Sequence, residues 1–137
     1  MHAIVEIKEC SEKAVAQIVE MCVPGGHTIS SFNSKWIDLA HRLSDDISLQ
    51  WTIEALDGLR PLIVPPVVSK GRVREVAADI TRLTPAGVTR ARTLGLKVLS
   101  YTVKTKAYLK HAMDLGIDGI FIDDPASVRD WLTELQA

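Results

Sequence analysis

The stretch GLKVLSYTVKTKAYLKHAMDLGIDGIFIDDP, residues 95–125, decides the fold of this 137-residue chain. Residues 97–103 form a β-rich run, residues 106–115 carry apolar side chains at close to a helical period, and Gly116 supplies a left-handed helix stop. Residues 117–122 form a second apolar run. A strand, a crossover helix and another strand predict a βαβ unit with parallel strands and a right-handed connection.

Polar residues gather where the two strands of this unit end. Asp123 and Asp124 follow the second strand, while Thr102 and Lys104 leave the first. Because α/β folds place their chemistry at the carboxyl ends of parallel strands, we expect a site at this edge. Asp124 precedes Pro125, which is typical of a helix N-cap. The alternative, that the two aspartates bind a cation together, stays open.

The rest of the chain repeats the alternation of short strands and amphipathic helices. Capping residues mark helix starts, and they are Ser11, Asn33 with Ser34, and Thr84 ahead of Pro85. Further strands are predicted at residues 3–8, 28–32, 47–53 and 76–80. Glycines and prolines break residues 56–74 into a predicted loop with room for one short helical turn. About six strands and five or six helices predict a parallel α/β architecture.

Composition excludes several classes of partner. The chain has 16 basic and 17 acidic residues and a formal net charge of -1, so it lacks the electrostatic footprint of a protein that binds nucleic acid or an anionic membrane. No apolar run approaches the roughly 20 residues of a membrane span, and there is no signal-peptide pattern. Cys10 and Cys22 lack metal-ligand spacing. We therefore expect a single domain over residues 1–137, in the cytoplasm, with reduced thiols.

Several motifs resemble those of the glycerophosphodiester phosphodiesterase family. Residues 95–104 are similar to the family strand GLKV-x-x-W-T-V-N, with Tyr101 at the Trp position and Lys104 at the Asn position. Residues 116–125 are similar to G-V-D-G-I-I-T-D-x-P, with Phe and Ile where Ile and Thr are usual. Three shorter segments resemble a hydrophobic-E-I-K strand, an S-F-N/D motif and an L-L-T-P helix start, and they are residues 5–8, 31–33 and 83–85.

The resemblance implies a TIM-type (β/α)8 barrel and places this chain from the third strand to the eighth. A full barrel takes about 250 residues and eight strands, so the count of about six strands in 137 residues agrees independently. The expected fold is an incomplete TIM-type (β/α) barrel of about six parallel strands alternating with helices. An unrelated α/β domain of flavodoxin-like form is the alternative fold.

The resemblance also implies an activity and site residues. The family hydrolyses glycerophosphodiesters to glycerol 3-phosphate and an alcohol with a divalent metal, here Mg²⁺ or Ca²⁺. By resemblance, Glu6 is a metal ligand, Lys8 contacts the phosphate and Tyr101 walls the site. The pattern of residues places Glu6 and Lys8 on one face of a predicted strand, toward the barrel interior or mouth. A solvated strand end or an internal salt bridge, and plain strand core for Tyr101, remain alternatives.

Other family motifs have no counterpart in the sequence. These are a His-Arg pair, an E-N-T or E-x-D motif and a further His, which supply the acid/base histidines and two metal carboxylates. The four histidines present lie in other contexts, and we expect structural roles for His2, His27, His41 and His111. We therefore expect an impaired or inactive isolated chain, with no metal cofactor if inactive. The alternative is a non-catalytic phosphate-binding or structural, oligomeric relic of the family.

A barrel that lacks two strands has two unpaired edges beside an open interior. Such edges are templates for association. We expect a homo-oligomer that covers them, with two copies pairing edges or exchanging elements. The alternative is that the chain is a fragment of a longer protein whose other part supplies those strands.

Overall fold

Six short parallel strands form one sheet in the computed structural model, which describes residues 1–56 and 72–137. The strands are β1 (Ile4–Glu6), β2 (Thr28–Ser31), β3 (Ser48–Ile53), β4 (Glu75–Asp79), β5 (Lys97–Tyr101) and β6 (Gly119–Ile120). They lie side by side in sequence order, and each pairs in parallel with the next. This order is that of a barrel, whereas a flavodoxin-like sheet has its second strand outside its first.

Helices cover one side of the sheet and begin at polar capping residues. They are α1 (Glu12–Cys22), α2 (Ser34–Leu43), α3 (Pro85–Thr93), α4 (Lys106–Asp114) and α5 (Pro125–Leu135), with a 3-10 turn at Ile80–Arg82. The predicted caps are confirmed, because the side chains of Ser11, Asn33, Thr84 and Asp124 each accept a backbone N–H. Gly116 follows α4 with a φ of 61°, which confirms the left-handed stop.

The hydrophobic core lies between the sheet and the helices. Side chains alternate along each strand, so one set of strand residues points to the helices and the next set to the opposite face. Ile29 and Val98 are fully buried, and they belong to one core cluster with Val15 of α1 and Ile37 of α2. The opposite face of the sheet carries mostly polar side chains on β1, β2 and β3 and forms the barrel interior.

The sheet curls into an open half-barrel. Strands lie about 4.8 Å apart, so β2 and β5 would be separated by roughly 14 Å in a flat sheet. Nevertheless the ring of Phe32, just after β2, lies 6.1 Å from the ring of Tyr101 at the end of β5. Within the described residues, no strand pairs with the outer edge of β1 or of β6. The predicted incomplete TIM-type barrel is therefore confirmed.

Two strands, β1 and β6, have at most half of their predicted length. β1 ends at Glu6, because the backbone N–H of Ile7 donates to Ser30 and the hydroxyl of Ser31 donates to the Ile7 carbonyl at 2.6 Å, which closes the ladder there. The prediction that Lys8 shares this strand with Glu6 was wrong. β6 covers two residues, not residues 117–122, and both are only half-buried because β6 is an edge strand.

The predicted loop at residues 56–74 falls largely on residues 57–71, which lie outside the described residues. At its described ends Leu56 and Val73 belong to the core, with exposures of 0% and 1%. None of the helices in the described ranges is long and apolar enough to cross a membrane.

Candidate functional site

A cavity of about 420 Å³ opens at the carboxyl ends of the strands. Most of its wall comes from strands β1 to β5, and the segment after β6 completes it. The lining residues are Ile4, Glu6, Ser30, Phe32, Gln50, Thr52, Ala77, Tyr101, Thr102, Phe121, Ile122 and Asp123. Barrels carry their sites at this end of the strands, so the cavity is the candidate functional site.

The wall of the cavity is polar along β2 and β3. Ser30, Gln50 and Thr52 are 3%, 1% and 7% exposed, and side chains so deeply buried are normally hydrogen-bonded. Gln50 Nε2 donates to Glu75 Oε1 at 3.0 Å. The hydroxyls of Ser30 and Thr52 have no partner among the described residues, yet neither is sealed off as an unsatisfied buried atom. They are therefore available to a ligand in the cavity.

Aromatic rings form much of the mouth. The chain contains two Phe and two Tyr residues, and three of these four, Phe32, Tyr101 and Phe121, line the cavity. Tyr101 and Phe32 contact each other edge to face, with an interplanar angle of 76°. The phenol of Tyr101 donates to the carbonyl oxygen of Ile53 at 2.8 Å, so this side chain is held both by its ring contact with Phe32 and by its hydroxyl.

The charged side chains in the described lining of the cavity are carboxylates. Its described lining includes Glu6 and Asp123 and no Lys, Arg or His. Asp123 has a cation nearby, since the Nζ of Lys104 lies 3.7 Å from its Oδ2, but both side chains are largely exposed and such a pair is weak. Glu6 forms no ion pair or hydrogen bond with the described residues. The mouth therefore presents net negative charge to a ligand.

Tyr101 has the largest pKa shift among the titratable groups of the described residues. Its pKa is raised to about 12, chiefly because burial disfavours the phenolate. The negative charges of Asp79, Glu54 and Glu6 raise the pKa further, and Arg82 opposes them. Tyr101 is consequently a neutral hydrogen-bonding group at physiological pH.

This shift predicts a pH dependence. Because the folded-state pKa of about 12 lies above the ordinary value of 10, folding favours the neutral phenol. Its contribution to stability is complete below pH 10 and is lost as the pH rises toward 12. We expect the ultraviolet titration of tyrosinate to show a step near pH 12 that is absent from Tyr101→Phe. A titration of the variant that still contains this step would contradict the assignment.

The predicted site residues are only partly brought together. Glu6 and Tyr101 line the same cavity, as the resemblance implies. Lys8 lines a neighbouring depression of about 240 Å³, which it shares with Glu6, Phe32 and Asn33. Tyr101 is therefore a cavity residue as well as a packed one, whereas Lys8 lies at the rim. The roles assigned to these three side chains stay predictions.

Potential metal ligands are scattered in the part of the chain that the structure describes. No three His, Cys, Asp or Glu side chains in residues 1–56 and 72–137 lie together in a group that could hold a metal ion. Asp124 is engaged elsewhere, since its carboxylate caps α5 and accepts from Ser127 at 2.6 Å, a hydrogen bond that lowers its pKa. Glu6 and Asp123 are the carboxylates in the described lining of the cavity, and each could supply one oxygen ligand.

The histidines have local partners. His2 Nε2 lies 2.9 Å from the Thr28 hydroxyl, and His27 Nδ1 accepts the Ala3 backbone N–H at 3.1 Å. His111 Nε2 contacts the Leu83 carbonyl at 2.9 Å, and His41 Nδ1 accepts from Arg72 at 3.1 Å. Each of the four rings thus contacts a neighbouring group, and none lines the cavity.

Phe32 and Phe121 are site residues that the sequence analysis did not select. Phe32 belongs to the S-F-N segment, and Phe121 stands at a position where the family motif usually has Ile. A signal was present, because both residues lie at or next to the last residue of a predicted strand, and barrels place their sites at this end of the strands. Pattern alone did not show that the two rings and Tyr101 would meet around one cavity.

Comparison with known proteins identifies a family and several solved structures that this chain resembles. The chain matches the model of the glycerophosphoryl diester phosphodiesterase family over residues 3–127. No curated protein sequence matches it. It is similar to the solved structure of a phosphodiesterase from Oleispira antarctica in complex with the product sn-glycerol-3-phosphate, with 19% identity and a TM-score of 0.79 over 97% of this chain and 56% of that one.

Two further structures show the same likeness. A glycerophosphodiester phosphodiesterase from Parabacteroides distasonis is 16% identical with a TM-score of 0.73, over 98% of this chain and 58% of that one. One from Thermotoga maritima is 18% identical with a TM-score of 0.66, over 87% and 52%. The chain thus spans little more than half the length of these structures. Because the family model matches nearly all of the chain, this protein belongs to the glycerophosphoryl diester phosphodiesterase family.

Proposed function

We propose that the chain binds glycerophosphodiesters in the cavity at the carboxyl ends of its strands, and that the isolated chain does not hydrolyse them. The observation that carries this proposal is a formed cavity that lacks a group of metal ligands. Family membership supports the ligand class. The related phosphodiesterase from Oleispira antarctica has sn-glycerol-3-phosphate bound, and a ligand of this kind is the natural occupant here.

The lining residues supply binding groups of the required kind. The free hydroxyls of Ser30 and Thr52 and the amide of Gln50 offer hydrogen bonds to the hydroxyl groups of a glycerol moiety. The phenol oxygen of Tyr101 is still able to accept a hydrogen bond while it donates to Ile53. Lys8, at the rim, is placed to meet a phosphate group that extends out of the cavity.

Hydrolysis needs more than these groups. A phosphodiester is cleaved when a nucleophile is activated and the developing charge is stabilised. No group of three potential metal ligands occurs in residues 1–56 and 72–137, and the histidines contact other groups. We therefore assign no catalytic step to Glu6, Lys8 or Tyr101 and expect binding without turnover.

The unpaired edges favour a second, structural role. β1 and β6 expose backbone groups, and Phe32 and Ile4 are 51% and 37% exposed at the open interior. We propose that copies of the chain associate and cover these edges. Analytical ultracentrifugation is expected to give a mass above that of one chain. A monomeric mass, together with no binding of a dye for apolar patches, would contradict association.

Calorimetric titration with glycerophosphocholine in EDTA tests the binding proposal. We expect saturable binding to the native chain and binding at least about tenfold weaker in Ala77→Leu. Ala77 is 1% exposed and lines the cavity, so a leucine side chain would fill part of the space. Ala107→Leu, at an exposed position on α4, is the matched control and is expected to bind normally. No binding to the native chain, or equal binding to both variants, would contradict the proposal.

A further inference from the structure

A second cavity, of about 260 Å³, lies at the amino ends of β3 and β4. It is at the end of the strands opposite the candidate functional site, and the described linings of the two cavities share no residue. We propose that this amino-end cavity binds a free amino acid through the carboxylate and ammonium groups of that ligand. The site is independent of the proposed function. The lining residues that would hold the ligand are Asp45, Asp46, Ser48, Arg72, Arg74 and Glu75.

Two guanidinium groups line the amino-end cavity, and that of Arg72 is held in a fixed position. Its Nε donates to His41 Nδ1 at 3.1 Å, and its Nη2 donates to the Asp45 carbonyl oxygen at 3.1 Å. The same Nη2 lies 3.5 Å from Asp45 Oδ1. A guanidinium has five N–H donors, so these contacts leave the two donors of Nη1 for a ligand. A guanidinium that is already held loses little freedom on binding, and its planar fork matches a carboxylate.

Arg74 gives the amino-end cavity a second positive charge. Its guanidinium forms no hydrogen bond or ion pair with the described residues, although it lines the same cavity as Arg72. Arginine is the side chain best suited to bidentate recognition of a carboxylate, because its N–H donors are fixed in one plane. The carboxylate of a ligand is therefore expected beside Arg72 and Arg74.

Acceptor groups for an ammonium group lie in the same lining. The carboxylate of Asp46 has no partner among the described residues. Glu75 accepts from Gln50 Nε2 through Oε1 at 3.0 Å, which leaves its other carboxylate oxygen for a ligand. The hydroxyl oxygen of Ser48 accepts from Thr28 at 3.1 Å and has room for a second donor. An ammonium group has three N–H donors and no acceptor, so these three oxygen-bearing side chains suit it.

The mixture of charges favours a dipolar ligand over a simple ion. Asp45 is already paired with Arg72, so the groups that remain are the cation Arg74 and the anions Asp46 and Glu75. The two carboxylates would repel an anion that carries no ammonium group, and Arg74 would repel a cation that carries no carboxylate. Small-molecule pockets usually measure about 300–1,000 Å³, so a cavity of about 260 Å³ suits a small ligand. A free amino acid has this size and carries both charges.

An NMR titration at neutral pH with L-alanine, propionate and ethylamine separates the two charges of the ligand. Propionate lacks the ammonium group of alanine, and ethylamine lacks its carboxylate. With alanine we expect saturable shifts of the amide signals of Asp46, Ser48 and Glu75, and we expect either of the other two compounds to bind at least about fivefold more weakly.

Three outcomes of this titration would overturn the inference. Propionate or ethylamine that binds as tightly as alanine would do so, because a site for a simple ion would then explain the binding. Absence of saturable alanine binding would do so as well. Shifts confined to Tyr101 and Phe121 would place alanine in the cavity at the carboxyl ends of the strands and would also contradict the amino-end site.

Two substitutions test the named charges. Arg74→Gln removes the unpaired cation and Asp46→Asn removes the unpaired anion, and each is expected to weaken alanine binding at least about fivefold. Both side chains are exposed, so we expect both variants to fold, and circular dichroism checks this. Arg129→Gln and Asp130→Asn, at exposed positions on α5, are the matched controls and are expected to bind alanine normally. Alanine binding that is unaffected by both cavity variants, or equally weakened by the controls, would overturn the inference.

Discussion

Purified protein supplied with Mg²⁺ or Ca²⁺ is expected to hydrolyse glycerophosphocholine no faster than its Glu6→Ala variant. The reason is the donor set, because no three potential metal ligands lie together in the described ranges. Proton transfer by a positioned acid or base contributes about 100- to 10,000-fold to a rate, and the four histidine rings lie outside the lining of the cavity. Loss of these contributions together would leave a rate near that of the solution without protein.

The control makes this result interpretable. Protein from the same preparation should first be shown to bind glycerophosphocholine in EDTA, so that absence of turnover does not reflect unfolded material. Metal-dependent turnover that disappears in Glu6→Ala would contradict the proposal. It would mean that Glu6 takes part in a functional metal site.

The Ile37→Ala substitution is expected to lower the free energy of unfolding by about 2–5 kcal/mol. Ile37 is 0% exposed and lies in α2 at the centre of the layer between helices and sheet. Truncation of a buried isoleucine side chain at its β-carbon loses the free energy gained when the removed atoms are transferred from water to the core, and it leaves a cavity. A loss of this size is a large share of the 5–15 kcal/mol that stabilise typical domains. Urea denaturation followed by circular dichroism measures it.

Leu43→Ala provides the matched control for this prediction. Leu43 lies in the same helix but is 47% exposed, so its truncation is expected to cost less than about 1 kcal/mol. Equal losses for the two variants would show that the half-barrel does not bury the inner face of α2 as described.

Much of the fold could be predicted from the sequence because local signals agree with the tertiary structure. Caps such as Thr84 ahead of Pro85 and Asp124 ahead of Pro125 fixed the helix starts, and Gly116 fixed a helix end. The alternation of apolar runs and amphipathic helices gave the parallel order. These features depend on residues close together in the chain, which is why pattern was sufficient to find them.

Strand ends were less predictable, since pairing decides them. Lys8 continues the alternation of β1, yet the ladder closes at Ile7 because the Ser31 hydroxyl occupies its carbonyl oxygen. That contact joins residues 24 positions apart. Likewise the apolar run around β6 predicts a longer buried strand than an edge position supports. Neither the Ser31 hydrogen bond nor the edge position of β6 can be recognised from the local sequence pattern.

The candidate site was predictable in part. Glu6 and Tyr101 were found because each belongs to a motif that resembles the family, and both line the cavity. The sequence did not indicate that Phe32 and Phe121 line the cavity. Their place in the lining depends on the curl of the sheet, which brings the end of β2 to within 6.1 Å of the end of β5 between ring centroids. Curvature of this kind is a property of the whole barrel.

The central claim is that the carboxyl-end cavity binds the diester, and an NMR titration with glycerophosphocholine tests it most directly. With ¹⁵N-labelled protein in EDTA, the account predicts that the amide signals of Tyr101, Thr102 and Phe121 shift progressively and saturate together. Signals of the exposed face of α1 should remain in place. Shifts confined to the neighbouring depression around Lys8 and Asn33, or no saturable shifts at all, would contradict the account.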